Sequence, residues 1–403
     1  MRPASISRCR DGKRVPGTDI QSDETDEFNE ILTWVKPGCR SLVEELRARF
    51  PEAEVTYAHG YEIAGGCTDG FEEALAIAKD ADVILLTLGG KHGSCSVASM
   101  GEGVDASDIN LPVCQDLFIK EAAKLGKPMV GIHFNGRPIS SDVADEYLDA
   151  ILEAWNPSEC GAEAIVDILT GKVNPSGKMP VTTARCAGQI PIFYNHFGGS
   201  SWDQGDSIGF KNYVDLTHLP RYYFGQGLSY TTFAYSGLSV RAEKIYPKSA
   251  DEESGAAENK QVNSQAGAAS ERKSAEAQAA VSPSERVLIS VNVKNTGSVS
   301  GTEIAQLYLR DRHATVARPV MEMQGFARVA LKPGEEKRVT FAVSPSQMAF
   351  LDEDMKWKIE KGEIEVMVGS SSADIREKGA FTISEDAWIR GRDREFWAET
   401  KVQ

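Results

Sequence analysis

The sequence lacks the features that define several large classes of protein. No stretch approaches the roughly 20 consecutive apolar residues that a membrane-spanning helix needs. Positive charge is also scarce, because 44 Lys and Arg stand against 59 Asp and Glu, for a formal net charge of −15. A protein that binds the phosphate backbone of nucleic acids needs clustered positive charge. We therefore expect neither a membrane nor a nucleic-acid partner, but a soluble protein that handles neutral or cationic ligands.

The cysteines and the amino terminus lack the signals of an oxidising compartment. The seven cysteines are odd in number, widely spaced and free of any C-x-x-C motif, which argues against a zinc ribbon or a redox dithiol. We expect them to be reduced, structural thiols of a cytosolic protein. The basic first ten residues are followed by no apolar run, so no secretory signal is visible. The expected location is cytoplasmic, unless the natural amino terminus lies upstream.

Motifs for nucleotide and cofactor binding fail on inspection. Gly89-Gly-Lys91 is followed by His92, so the phosphate loop is incomplete, and the glycines of 101–106 lack the strand–turn–helix context of a dinucleotide site. No G-x-S-x-G elbow occurs, and the six histidines are scattered without metal-ligand spacing. A flavodoxin-like nucleotide or flavin binder is thus the weakest reading, and we expect no metal and no organic cofactor.

The residue pattern divides the chain into segments of different character. Strand-like runs, 82–88, 127–133 and 150–155 among them, alternate with helical patterns at 42–50, 71–79, 115–125 and 159–169, and a further short strand is predicted at 54–57. Such alternation indicates a parallel sheet covered by helices. From residue 286 the period changes to two, as in 287–293 and 337–343, which is typical of a fibronectin or immunoglobulin type of sandwich. The predicted fold class is therefore α/β, a mostly parallel sheet with helices on both faces, followed by an all-β fibronectin type III-like sandwich.

The predicted domain boundaries follow from the same pattern. They are an N-terminal extension (1–37), an α/β sandwich domain (38–185), an aromatic linker or loop (186–232), the fibronectin type III-like domain (233–385), and a C-terminal tail (386–403) that either packs back or frays. The sandwich contains an insertion at 248–284 that is rich in Ala, Ser, Glu, Gln and Lys. We expect this insertion to be disordered, because its composition cannot offset the entropy of ordering.

One segment places carboxylates where open α/β sheets bind ligands. Residues 99–112 follow the buried strand 82–88, beyond its carboxyl end. Glu102 stands between two glycines, which leaves its backbone free to present the side chain outward. Asp105 and Asp108 follow it. The alternative is that the two aspartates cap the next helix and that Glu102 is merely solvated.

A set of motifs carries a resemblance to a known family. These motifs are Gly101–Asp105, Asp108–Pro112, Gly131–Pro138, Glu153–Pro157, Asn174–Pro180, Gln189–His196 and Tyr223–Phe233. Together with the sandwich they resemble the C-terminal part of glycoside hydrolase family 3, the β-glucosidase and β-xylosidase family. The resemblance spans about residues 38–385, and the run Tyr223–Phe233 is its most specific part.

The resemblance implies a mechanism and a set of site residues. Family members are retaining enzymes in which an Asp nucleophile on an N-terminal (β/α)₈ barrel works with a Glu acid/base from the α/β domain. The family's Gly-Glu-Gly-x-Asp motif falls on Gly101–Asp105, which implies that Glu102 is the acid/base. The same comparison suggests five substrate-binding residues: Asp105, Asn195, His196, Trp202 and Asp215. Alternatively, the aromatic residues of this region attach the α/β domain to the sandwich.

The chain departs from the family pattern in two ways. The family's barrel needs about 250 residues, and this sequence has no such segment and no nucleophile motif before the resemblance begins. Ala106 also replaces the Arg that many members carry after the motif's Asp. We therefore expect part of a retaining β-glycosidase, whose partners are a β-linked oligosaccharide or glycoside and a barrel supplied in cis or in trans. The alternative is a non-catalytic carbohydrate-binding or scaffold module derived from such an enzyme.

Overall fold

The computed structural model describes residues 38, 40–90, 92–94, 99–102, 105–198, 213–244 and 279–403. The predicted N-terminal extension, most of the predicted insertion at 248–284 and Trp202 lie outside the described residues. The described chain forms two compact units. We call them the α/β unit, which comprises the described residues up to Phe193 together with 213–224, and the β unit, which comprises 194–198 and everything from Gly225 onward.

The α/β unit alternates helices and strands. Its elements are α1 (Leu42–Arg49), α2 (Phe71–Asp80), β1 (Ile84–Gly89), β2 (His92–Ser94), β3 (Met100–Glu102), α3 (Val113–Ala123), β4 (Met129–Phe134), α4 (Asp142–Tyr147), β5 (Ala150–Trp155) and α5 (Gly161–Leu169). The strands β1, β4 and β5 form a parallel sheet in that order, and β2 pairs with β3 separately. The α/β class predicted from the alternation is confirmed.

Apolar side chains from the strands and helices form the core of this unit. Leu86 and Leu88 of β1 pack with Phe118 and Ile119 of α3 and with Met129 of β4, and each of these side chains is at most 4% exposed. Burying a side chain of this size contributes roughly 1.5–3 kcal/mol. The helices therefore hold the sheet rigidly and fix the positions of its carboxyl ends.

Two local predictions differ from the structure. No strand forms at 54–57, where the Val55 carbonyl accepts hydrogen bonds from the Arg47 guanidinium at 2.9 and 3.0 Å instead of a strand partner. The short helix α4 was not predicted, because it has too few turns to show an apolar period. It starts at Ser141, whose hydroxyl accepts a hydrogen bond from the Ala144 N–H at 2.8 Å.

The described residues of the β unit form strands and short 3₁₀ turns. Its strands are β6 (Phe233–Lys244), β7 (Ala279–Val281), β8 (Glu285–Asn295), β9 (Gly301–Asp311), β10 (Glu322–Leu331), β11 (Glu336–Val343), β12 (Phe350–Leu351), β13 (Trp357–Ile359), β14 (Gly362–Gly369), β15 (Ile375–Ile383), β16 (Ala387–Ile389) and β17 (Glu399–Val402). They form sheets in the orders β10-β9-β14-β15-β7, β17-β11-β8-β6 and β12-β13-β16. Alternate residues of β8 (Val287, Ile289, Val291 and Val293) are fully buried, as a half-buried strand requires.

Three segments that the sequence left uncertain have definite places. The segment predicted as a linker (186–232) is divided between the units, since its described residues 186–193 and 213–224 belong to the α/β unit and the rest to the β unit. The end of the insertion predicted to be disordered is ordered, because residues 279–281 form β7 and pair with β15. The tail packs back, as β17 pairs with β11.

In the described part of the chain, no helix has the length and apolarity to cross a membrane.

Candidate functional site

At the carboxyl end of β1 the chain leaves the parallel sheet toward the candidate carboxylate. The last residue of β1, Gly89, has a φ of +104°, a conformation that only glycine adopts readily. A Cβ atom there would lie 2.3 Å from the Phe134 carbonyl oxygen and 2.4 Å from Asn135 Oδ1. Glycine is therefore required both by the backbone torsion and by the close approach of the chain at the end of β4.

A buried glutamine on the first turn of α3 holds this glycine. Gln115 is 2% exposed, and its Oε1 accepts a hydrogen bond from the Gly89 N–H at 2.8 Å. Its Nε2 donates to the Gly89 carbonyl at 2.8 Å and to the Glu62 carbonyl at 3.0 Å. One side-chain amide thus satisfies both backbone polar groups of Gly89 at the point where the strand ends.

The chain returns to the same edge of the sheet just before α3. At the outgoing end, the Gly90 N–H donates to the Phe134 carbonyl at 3.2 Å, and at the returning end the Leu111 N–H donates to the Ser140 carbonyl at 3.0 Å. We call residues 90–110 the β1–α3 loop. Both of its ends are therefore hydrogen-bonded to the chain that forms and follows the end of β4.

Glu102 lies on the β1–α3 loop. It is the last residue of β3, which pairs in parallel with β2 and places Glu102 opposite Ser94. Immediately before β3, the Ser99 carbonyl accepts a hydrogen bond from Arg137 Nη2 at 3.5 Å. The backbone of the predicted acid/base residue is thus in regular structure, on a loop that begins at the carboxyl end of a parallel strand.

The helix-capping alternative for the two aspartates of this loop is wrong. The cap of α3 is Pro112, which has no side-chain acceptor. Asp108 instead accepts hydrogen bonds from the N–H and Nδ2 of Asn110 at 3.0 and 2.6 Å, a local turn of the kind that aspartate favours. Asp105 is exposed and hydrogen-bonds to no residue of the described ranges.

A polar cluster beside the loop was not singled out from the sequence. The Glu153 carboxylate of β5 accepts hydrogen bonds from Asn135 Nδ2 at 3.0 Å through each oxygen, and from the Trp155 N–H at 3.1 Å. His133 Nδ1 lies 3.4 Å from the same carboxylate. His133 and Asn135 are each 2% exposed. Within the described ranges, His133 Nε2 and Asn135 Oδ1 have no hydrogen-bond partner.

The sequence carried a partial signal for this cluster. His133 and Asn135 are two residues apart at the end of a predicted strand, so they share one face of the sheet. Glu153, however, joins them only through the register that sets it opposite His133, and no pattern in the sequence specifies that register. Trp155, which follows a bulge, has a φ of +50°, a strained conformation for a residue with a side chain.

The predicted substrate-binding residues are distributed over both units. Asp105 and Asp215 are exposed in the α/β unit, whereas Asn195 and His196 belong to the β unit. His196 Nδ1 lies 2.9 Å from the Phe197 carbonyl oxygen. Trp202 lies outside the described residues. The structure thus places Glu102 and Asp105 on one loop and leaves the other predicted contacts on separate segments.

The segment that carries Asp215 is clamped to the rest of the α/β unit. Arg221, whose side chain is 2% exposed, donates hydrogen bonds to Asp142 and Asp145 of α4 and to the Ser140 hydroxyl. The Tyr222 hydroxyl also donates to Asp145. Burial, and then the hydrogen bond to this carboxylate, raises the pKa of Tyr222. The Tyr222 side chain thus helps to hold this segment against α4 within the α/β unit.

No group of three or more His, Cys, Asp or Glu side chains within the described ranges is arranged to hold a metal ion. The described polar side chains at this edge of the sheet include the carboxylate of Glu153, the amides of Gln115 and Asn135 and the imidazole of His133.

Comparison with family models identifies both units. Residues 17–230 match the glycosyl hydrolase family 3 C-terminal domain, and residues 303–372 match a fibronectin type III-like domain. The first match covers more than half of the chain and contains the β1–α3 loop.

Individual relatives agree with these matches. A β-xylosidase of Formosa agariphila is 33% identical over 83% of this chain and 40% of its own length, and a periplasmic β-glucosidase of Salmonella typhimurium is 32% identical over 77% and 36%. Among solved structures, a β-glucosidase from Erythrobacter marinus matches with a TM-score of 0.67 and 32% identity, over 85% of this chain and 43% of that one. The chain spans about two fifths of the length of the curated relatives it matches. It belongs to glycosyl hydrolase family 3, of which it carries the C-terminal domain and a fibronectin type III-like domain.

Proposed function

We propose that the chain supplies the α/β part of a retaining β-glycosidase that acts on β-glucosides or β-xylosides, with Glu102 as the general acid/base. The observation that carries the proposal is the position of Glu102 on a loop that starts at the carboxyl end of β1 and is anchored at both ends. Open α/β sheets bind ligands at such an edge. The names of the relatives, which include β-glucosidases and β-xylosidases, support the same class of substrate.

The proposed chemistry needs a second carboxyl group. In a retaining glycosidase one carboxylic acid protonates the leaving oxygen while a carboxylate about 5–5.5 Å away attacks the anomeric carbon, and the first group then activates the water that hydrolyses the intermediate. Glu102 takes the first role, and the nucleophile comes from a barrel domain in cis or in trans. We accordingly expect the chain alone to bind sugar weakly and to hydrolyse β-glycosides inefficiently.

Five further residues are proposed as substrate contacts: Asp105, Asn195, His196, Trp202 and Asp215. Asp105 is supported by its exposure and by its place on the same loop as Glu102. The exposed position of Asp215 on the segment clamped by Arg221 supports its inclusion as well. Ala106 supplies no guanidinium to a sugar hydroxyl, so we expect sugar affinity to depend on the remaining contacts.

The test combines this chain with the part of a family relative that has no counterpart in this chain, namely the relative's N-terminal portion. Hydrolysis of an aryl β-glucoside is measured for the wild type, for Glu102→Gln, and for Glu121→Gln, an exposed glutamate of the same unit, as the control. Loss of a general acid/base is expected to lower kcat by about 10²–10⁴-fold for a poor leaving group and far less for dinitrophenol, which needs no protonation.

Two results contradict the proposal in different ways. If Glu102→Gln leaves kcat and its pH profile unchanged, Glu102 is not the acid/base. If the combination of chain and barrel binds glucosides by calorimetry but hydrolyses none of them, the chain is a carbohydrate-binding module and not part of an enzyme.

A further inference from the structure

The base of the β1–α3 loop is closed by a single side chain. Gln115 lies on the first turn of α3, just after the loop returns, and its amide binds Gly89, just before the loop departs. A side chain from one end of the loop therefore fastens the other end. Both hydrogen bonds are 2.8 Å long, and the amide is shielded from water.

We infer that Gln115 is a positioning residue that sets the direction in which the β1–α3 loop leaves the sheet, and with it the placement of Glu102. The catalytic part of this inference rests on the proposed function of Glu102. The physical reason is that the Gln115 amide binds both the N–H and the carbonyl of Gly89, which fixes the planes of the two peptide groups that flank this residue. One hydrogen bond alone would leave these peptide groups free to rotate.

The surroundings of Gly89 make this direction sensitive to the amide. A Cβ at Gly89 would meet the Phe134 carbonyl oxygen at 2.3 Å, so the backbone already lies in close contact with the end of β4. Without Gln115, we expect the loop base to move away from β4, since the end of β4 blocks the opposite direction. Such a movement strains the hydrogen bond from Gly90 to Phe134 at 3.2 Å.

Described residues of the loop also contact one another and the chain that follows β4. β3 pairs with β2, which belongs to the same loop, and the contact from Arg137 to Ser99 is long at 3.5 Å. Because β2 begins three residues after Gly89, we expect a displaced loop base to displace the small sheet that carries Glu102. A shift of about 1 Å in a catalytic group lowers the rate by as much as 10²-fold.

The experiment uses two variants and a matched control. Gln115→Met keeps the volume and removes all three hydrogen bonds of the amide, two to Gly89 and one to the Glu62 carbonyl. Gln115→Glu keeps an acceptor in both charge states and supplies a donor only while its carboxyl group is protonated. The control is Gln189→Met, because Gln189 is another buried glutamine of the α/β unit that binds backbone groups, at Arg185 and Thr217, away from the loop.

Hydrogen exchange tests the anchoring directly in the full chain. The Gly89 amide hydrogen is expected to exchange at least about tenfold faster in Gln115→Met, since its partner is lost, and at the wild-type rate in Gln189→Met. In Gln115→Glu, protection at Gly89, corrected for intrinsic rate, is expected to be greater at acidic pH, where the protonated carboxyl group can donate to the Gly89 carbonyl, than after ionisation, when the carboxylate repels the Gly89 and Glu62 carbonyl oxygens. Unchanged exchange at Gly89 in both Gln115 variants overturns the inference. If Gln115→Met does not fold, the pH dependence of Gly89 exchange in Gln115→Glu provides the test.

Kinetics test the consequence for catalysis with the barrel combination described above. In Gln115→Met, kcat is expected to fall about tenfold or more while KM changes less than about threefold, because the change lies at the acid/base and not in ground-state binding. Gln189→Met is expected to keep kcat within about twofold. A loosened Gly89 with unchanged kcat refutes the positioning role, whereas a Glu102→Gln variant that retains activity refutes the proposed function and leaves the anchoring result intact.

Discussion

Replacement of Gly89 by alanine tests the close approach on which the candidate site is built. At a φ of +104°, an L-residue is strained by roughly 1–2 kcal/mol. The new Cβ would also lie 2.3 Å from the Phe134 carbonyl oxygen, so the backbone must move and its two bonds to Gln115 weaken. Each net hydrogen bond contributes about 0.5–1.5 kcal/mol. We therefore expect Gly89→Ala to destabilise the α/β unit by about 2–5 kcal/mol, the sum of strain and two weakened bonds.

Gly126→Ala provides the matched control. Gly126 also has a positive φ, +65°, but a Cβ there would meet no atom within 4 Å, so its replacement adds torsional strain alone, about 1 kcal/mol. The assay is native-state hydrogen exchange, which gives the free energy of opening from the slowest-exchanging amides of β4. It is preferred to global unfolding because a chain of two units need not unfold in a single transition. Equal destabilisation by Gly89→Ala and Gly126→Ala would refute the argument from close approach, since only the first variant contains a clash.

Two predictions concern buried titratable groups of the same unit. Glu62 and Glu45 are each 7% exposed, but Glu45 is paired with two arginines, while burial and a nearby aspartate raise the pKa of Glu62. The folded state thus favours neutral Glu62, so folding stability is lost as the pH rises above the ordinary carboxyl range. Glu62→Gln should therefore raise Tm at pH 7 but not at pH 4. Glu45→Gln should lower Tm at pH 7, because it removes the charge that pairs with the two arginines. Burial raises the pKa of the Cys114 thiol to about 11, so folding stability should fall between pH 9 and 11. At pH 8.5, iodoacetamide should label the exposed Cys160 much faster than the buried Cys114. Equal labelling by mass spectrometry, or an equal effect of Glu62→Gln at both pH values, contradicts the respective prediction.

The strands of both units were predictable because burial leaves a simple trace in the sequence. The run 82–88 is almost continuously apolar, as a strand buried on both faces must be, and it appears as β1 at Ile84–Gly89. In the β unit, the alternation in 287–293 corresponds to alternate fully buried residues of β8. Long helices and strands of this kind depend on local side-chain periodicity, which the sequence displays directly.

The polar features of the site depend on distant pairing and were not predictable in the same way. Nothing local in the sequence indicates that Gln115 binds a backbone group at Gly89. Glu153 meets Asn135 only through the register of β4 and β5. The strand predicted at 54–57 failed for a related reason, because the hydrogen-bond partner of a strand is not specified by the strand's own residues.

Buried amides that bind backbone groups are not in themselves marks of a catalytic site. In the β unit, Asn295 donates to two carbonyl groups and accepts from a backbone N–H, and Gln306 donates to two further carbonyls. These residues satisfy backbone groups at turns, as the cost of unpaired buried polar groups demands. Gln115 differs because the backbone that it holds is the start of a loop that carries a carboxylate between two glycines. The inference about Glu102 therefore depends on the conjunction of a fixed loop base and an acidic residue on that loop, and the Gly89 exchange measurement tests the first half separately from the second.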